Sequence, residues 1–235
     1  MPDDDLRCAL SALPPGGPPS LAFVRRAPAG IRGRAGTLLC LSASFNPVTL
    51  AHLQLIQAAA RVAPPDEVLL LLSLANVDKG MSGLPLERRV RLLLALAERR
   101  PAFSVALASH GRFVEKLAAI RAAYPEGARP VFLLGFDTLV RLFEPRYYAD
   151  RDAALAALFA GSRCLAANRA PHGPGAVAEF LARPEVAPYA GRIGILELPD
   201  AVAAVSATEV RARLARGEPV AGLVPPETLP LLTRG

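Results

Sequence analysis

The sequence predicts a doubly wound α/β fold, a parallel sheet with helices on both faces. From Gly36 onward, short apolar runs alternate with helical stretches. Several of the runs, EVLLLLSL (67–74) and TLLCLS (37–42) among them, are apolar throughout rather than at every second residue, as strands are when helices cover both faces of a sheet. The longest run, EVLLLLSLA, is strand-sized and far below membrane-spanning length, so the 52% hydrophobic content belongs to a core.

The elements follow in order. Residues 1–35 hold a helical pattern (DDLRCALSAL), a Pro/Gly turn (PPGGPPS), an edge strand (LAFVRR) and a Gly/Arg linker, and read as an accessory segment before a main domain over 36–235. Strand 37–42 leads to helix 50–63, strand 67–74 to helix 86–100, and strand 103–109 to helix 113–123. Strand 130–135 leads to helical stretches 137–143 and 152–160, strand 163–168 to helix 175–182, and strand 192–198 to helix 206–217. In such a sheet, ligands bind beyond the carboxyl ends of the strands, so the loops that follow strands are where chemistry is expected.

Charge and cysteine usage narrow the classes. The formal net charge is +6, but the basic residues are scattered and aromatics make up 6%, which suits phosphate-bearing small molecules better than nucleic acid. The one basic stretch that would argue for nucleic acid is VRRAPAGIRGR. Three cysteines without CxxC spacing indicate neither a disulfide framework nor a zinc site. The acidic opening MPDDDLR is unlike a secretory or transit peptide, and the expected location is the cytoplasm, or cytoplasm plus nucleus, with no membrane association. Of 27 basic residues only Lys79 and Lys116 are lysine, so each carries more information than usual.

Two turns stand out. In SASFNPVTLAH (42–52), Thr49 suits the N-cap of the helix beginning at Leu50 and puts His52 at its third position, beside the free amides of the first turn. Those amides, the macrodipole and a ring N–H form a phosphate site, although packing is an equally ordinary use of a helical histidine. Ser44 and Asn46 can close the turn through side-chain bonds and Pro47 stiffens it. In VSATEVR (205–211), Ser206 and Glu209 form a capping box, in itself no more than a well-started helix. Asp137, after the strand ending in Gly135, suits an N-cap, and Arg169 stands at a strand end. His110 and His172 read as loop residues. No G-x-G-x-x-G follows the first main strand and no P-loop is present, which sets aside dinucleotide-binding dehydrogenases and P-loop enzymes.

SFNPVTLAH resembles the first signature of the nucleotidylyltransferase superfamily, G-x-F-x-P-x-[HT]-x-G-H. Its Ser-Phe-Asn-Pro-x-Thr-x-x-His form is similar to that of the nicotinamide or nicotinate mononucleotide adenylyltransferase branch, with Ala43 and Ala51 where the family places glycines. VSATEVR resembles the second signature, I-S-S-T-x-x-R. The resemblance implies a Rossmann-like nucleotidylyltransferase fold and transfer of AMP from ATP to the mononucleotide, with magnesium carried on the ATP phosphates and no protein metal site. His52, Lys79 (in VDKG) and Arg211 would be the catalytic groups. Ser44, Phe45, Asn46 and Thr49 of the first signature, with Ser206 and Thr208 of the second, would hold nucleotide. So would Gly135 and Asp137 beside the adenosine or the nucleotide sugar, and Arg169. GLVPPETLPLL is similar to the family's closing helix, and the wording as a whole is similar to a eukaryotic subgroup with an N-terminal extension. The alternatives are a CTP-dependent cytidylyltransferase of the same superfamily and an inactive nucleotide-binding sensor marked by the two alanines.

Overall fold

Seven strands, β1 (Leu21–Arg25), β2 (Gly36–Ser42), β3 (Glu67–Ser73), β4 (Phe103–Ala108), β5 (Ala128–Gly135), β6 (Arg163–Ala167) and β7 (Ile193–Leu196), form one sheet in the order β1-β4-β3-β2-β5-β6-β7. The computed structural model describes residues 2–75 and 83–233. All neighbouring strands are parallel except β1, which runs antiparallel along β4. Strand order advances from β2 to β4 in one direction and from β5 to β7 in the other. The reversal falls between β2 and β5, where a doubly wound sheet opens its ligand crevice.

Sheet residues alternate between two cores, as the period of 2 requires. Leu39, Leu41, Leu70, Leu72 and Leu133 face α2 (Leu50–Val62), α3 (Leu86–Glu98) and α9 (Ala207–Ala215), with α1 (Pro2–Ser11) at the edge. Leu38, Cys40, Leu69, Leu71, Phe132 and Leu134 face α4 (Phe113–Ala123), α5 (Phe136–Leu142), α6 (Arg151–Gly161) and α7 (Pro174–Leu181). Leu69 to Leu71 are wholly buried, which explains why β3 reads as an unbroken apolar run. Two expectations are corrected. The last strand is shorter than 192–198, because the Leu198 N–H donates to the Asn168 side chain (2.7 Å) instead of a neighbouring strand. A short helix, α8 (Asp200–Ala203), follows it and was not read from the sequence. The chain closes with α10 (Leu229–Thr233), whose Leu231 carbonyl accepts from Arg88 of α3. No helix among the described residues is long and apolar enough to cross a membrane.

The segment before β2 is tied down through one buried carboxylate. Glu67, 1% exposed at the start of β3, accepts from the Ile31 N–H (2.7 Å), from the Tyr124 hydroxyl (2.6 Å) and from Ser104 of β4. Ser104 Oγ in turn accepts from the Ala27 N–H at 2.8 Å. Burial and the neighbouring carboxylate push the Tyr124 phenol well above its ordinary pKa. A buried carboxylate is tolerated where several donors satisfy it, and removing it strands each of them. Glu67→Ala should therefore cost about 3 kcal/mol of unfolding free energy in urea denaturation. A change within about 0.5 kcal/mol would show that the cluster adds nothing to stability.

Candidate active site

The sequence places a polar turn after β2, and its local chemistry sets the site's geometry. Thr49 is the N-cap of α2 with extended backbone, and His52 is the third helical residue. The Thr49 N–H donates to His52 Nδ1 (3.1 Å), and the Thr49 hydroxyl lies 2.8 Å from the same nitrogen. A backbone N–H can only donate, so Nδ1 is the acceptor and the ring proton sits on Nε2. That leaves Nε2–H as the donor available to the cavity that His52 lines. Burial, with Arg169 adding positive charge, lowers the His52 pKa to about 4. The ring is thus a neutral donor near pH 7 rather than a cation.

The cavity, about 350 Å³, lies over the carboxyl ends of the strands and joins the α2/α9 side to the α4/α5 side. Ser44, Thr49, His52, Gly135, Asp137, Arg169, Thr208 and Arg211 all line it. Arg211 connects the two signature turns: its Nη1 donates to the Asn46 carbonyl at 2.6 Å and its Nη2 to Thr208 Oγ1 at 3.3 Å. Arg169 pairs with Asp137 across the site (Nε to Oδ2, 3.3 Å). Asp137 is the carboxylate of the lining, against the cations Arg112, Lys116, Arg141, Arg169 and Arg211, so the cavity is built for a highly charged anion.

Three expected residues stand elsewhere. Phe45 is fully buried, in the left-handed region at φ 44°, and its ring packs 5.3 Å from the His52 ring, so it supports the histidine from behind. The Asn46 side chain accepts from the Leu84 N–H (2.8 Å) and fills the space beside Gly83, whose φ of +105° and missing Cβ are both required there. Ser206 caps α9 through Oγ, accepting from the Glu209 N–H at 3.1 Å, and does not reach the cavity wall. Asp137 is not an N-cap, because Gly135 holds that position and Asp137 lies within the first turn of α5. Lys79 lies outside the described residues. His110 bonds to Ser109 and His172 packs on Phe136, and neither lines the cavity.

Sequence reasoning missed Asn168, Ser73 and Lys116. Asn168 binds both the N–H and the carbonyl of Leu198, joining the loops after β6 and β7. The polar residue closing RCLAAN was its signal. Ser73, at the end of β3, brings to the cavity lining a buried hydroxyl without a hydrogen-bond partner among the described residues. Lys116 had a clearer signal, since Phe113, Lys116, Leu117 and Ile120 share one helical face and put a lysine on the buried stripe of α4.

A doubly wound sheet with a cationic crevice at its switch point, between the turns after β2 and before α9, is the architecture of a nucleotide-binding transferase. Comparison with known proteins agrees. A model of the cytidylyltransferase-like family matches residues 41–213, and the chain belongs to that family. It is 32% identical over 190 residues to a Bordetella petrii protein assigned as a nicotinate-nucleotide adenylyltransferase, covering 79% of this chain and 90% of that one. A Schizosaccharomyces pombe protein assigned as a nicotinamide mononucleotide adenylyltransferase is 32% identical over 138 residues, but the match spans 53% of its length and 57% of this chain. A solved Plasmodium falciparum nicotinic acid mononucleotide adenylyltransferase complexed with NaAD superposes with a TM-score of 0.62 at 13% identity, over 83% of this chain and 94% of that one, which speaks for the fold. Within its family the chain belongs to the mononucleotide adenylyltransferase-like branch.

The histidine geometry has a measurable consequence. Its pKa is about 4 in the folded protein and near 6.5 unfolded, so between those values the unfolded chain binds the extra proton. The associated stability is complete above pH 6.5 and declines as pH falls toward 4. Between pH 7.5 and 4.5, wild type should lose about 2 kcal/mol more than His52→Gln, which keeps a side-chain acceptor for the Thr49 N–H. Parallel losses in the two proteins, measured by urea denaturation, would show that the ring titrates normally.

Proposed function

We propose that this protein transfers the adenylyl group of ATP to nicotinate or nicotinamide mononucleotide, releasing pyrophosphate in NAD synthesis. The observation that carries the reading is the meeting of His52 and Arg211 on one cavity wall, with Thr208 and the first turn of α2 beside them.

In this reaction a phosphate oxygen of the mononucleotide attacks the α-phosphorus of ATP, and the bond to the bridging oxygen of the departing pyrophosphate breaks. A phosphate monoester with a second pKa near about 6 is mostly ionised at neutral pH, so its attack needs no strong base. The cavity residues suit positioning and charge stabilisation instead. His52 Nε2–H would donate to an α-phosphate oxygen as charge builds, and Arg211 with Thr208 would hold the β- and γ-phosphates through a planar fork. Gly135 lets the backbone come close to the adenosine or sugar, while Asp137 and Arg169 would frame the nucleotide. Lys79 remains the proposed contact to a substrate phosphate.

A magnesium ion on the triphosphate would supply further neutralisation of its charge. Among the described residues Asp137 is the carboxylate of the lining and Arg169 already engages it, so the ion's oxygen ligands would be phosphates and water rather than a protein cage. The backbone conformation at Ala43 needs no glycine. The turn's left-handed residue is Phe45, and Ala43 keeps a negative φ while lining the cavity. The cysteines, Cys40 and Cys164 buried and Cys8 exposed, are free, which suits a cytoplasmic protein.

Purified protein with magnesium, ATP and a mononucleotide acceptor should release pyrophosphate. His52→Ala should lower kcat about a hundredfold or more while changing the KM for ATP far less. Release with CTP alone would overturn the donor assignment, and ATP binding without turnover on either acceptor would favour a nucleotide sensor.

A further inference from the structure

Lys116 is the buried cation that the reaction above does not use. Its side chain is 6% exposed, on the α4 face that packs against the sheet, yet it lines the active-site cavity. Among the described residues its ammonium has no hydrogen-bond acceptor and no ion pair. Its neighbour is the Phe113 ring, with Nζ 4.8 Å from the centroid. Burial lowers its pKa to about 8 against the opposing effect of the Glu115 charge, so at neutral pH it remains mostly charged with no hydrogen-bond acceptor among the described residues. An ammonium held this way is incomplete until an anion arrives.

The position of Lys116 distinguishes the anions that could complete it. His52, Thr208 and Arg211 belong to α2 and α9, which pack on one face of the sheet, whereas Lys116 belongs to α4 on the other face. The phosphates of both substrates have to meet at His52, so the group reaching Lys116 is a different part of the acceptor. Phe113 lies against the Lys116 ammonium, and the α4/α5 side of the lining adds Leu142, Tyr147 and Tyr148, with Arg112 and Arg141 as further cations. The Tyr148 hydroxyl donates its proton to the Leu142 carbonyl (2.8 Å). An aromatic wall with one buried cation fits a planar aromatic carboxylate. A neutral carboxamide would leave the charge unbalanced, and an ammonium has no acceptor for the amide N–H.

We propose that Lys116 is a specificity-determining residue that pairs with the carboxylate of a nicotinate-type acceptor, making the acid rather than the amide the preferred mononucleotide. This deepens the adenylyltransferase reading and rests on it. The test measures kcat/KM for nicotinate and nicotinamide mononucleotides with wild type and with Lys116→Met, which keeps the chain length and apolar stem while removing the charge. Wild type should favour the acid at least about tenfold. The substitution should cut kcat/KM for the acid about a hundredfold, mainly through KM, and leave the amide within about threefold. Thermal melting controls for folding, and Lys116→Met should melt no lower than wild type because a buried charge is gone. Equal losses on both acceptors, or a wild-type preference for the amide, would overturn the assignment.

Absence of turnover on either acceptor would instead sink the adenylyltransferase reading, and calorimetric titration with the two mononucleotides would then decide the subsite. Tighter binding of the acid, lost in Lys116→Met, supports it. Equal binding of acid and amide, or no binding of either, overturns it.

Discussion

The two hydrogen bonds of the Arg211 guanidinium make a single site from turns that lie 165 residues apart. One donor grips the Asn46 carbonyl and the other the Thr208 hydroxyl, so the helix near the end of the chain is fixed against the first turn after β2. The Leu50 N–H, at the start of α2, donates to the Leu223 carbonyl (2.9 Å), so the closing segment holds the same turn from another side. Because the guanidinium is planar and charged at all relevant pH values, it can hold these protein oxygens and still offer N–H groups to phosphate. The proposed phosphate site is therefore organised by the protein's own hydrogen bonds, and a preformed site costs little to reorganise during reaction.

A second constraint concerns which charges the fold leaves unbalanced. Glu67 is the most deeply buried charged side chain among the described residues, but it collects donors from the N-terminal segment, β4 and the end of α4. It is satisfied and structural. Lys116 is buried nearly as deeply at the opposite end of the same helix, where nothing among the described residues accepts from it. One helix thus contacts a completed polar cluster through Tyr124, just past its last turn, and carries an incomplete one near its first turn, beside the cavity. Structural burial and functional burial are told apart by whether the protein supplies the partner.

Much of this was legible in the sequence. The apolar runs and their helical partners fixed the layers and most boundaries, because hydrophobic periodicity is local information. His52 and Thr49 were legible for the same reason, since capping geometry spans three residues. Residues whose placement depends on distant contacts were harder to read. Phe45 shares a motif with cavity residues, yet its left-handed backbone turns the ring into the core against His52. Asn46 spends its side chain on Leu84, and Asn168 binds Leu198, partners that no local pattern reveals. Glu67 opens the run EVLLLLSL with no local sign of burial, and its burial follows from Ile31, Ser104 and Tyr124 converging on it from three other segments.

The histidine carries the argument one step further. A ring held neutral by burial and by Arg169 cannot attract a triphosphate as a cation would, so in the proposed reaction recognition of the charge would fall to Arg211, Arg169 and the helix amides. What the neutral ring offers is one N–H in a fixed direction, because Thr49 occupies the other nitrogen. A donor of that kind stabilises charge that appears at one atom during reaction more than charge already spread over the ground-state phosphates. In the proposed reaction the capping bond would set a division of labour: the guanidinium groups would bind the phosphates, and the imidazole would distinguish the transition state from the substrate.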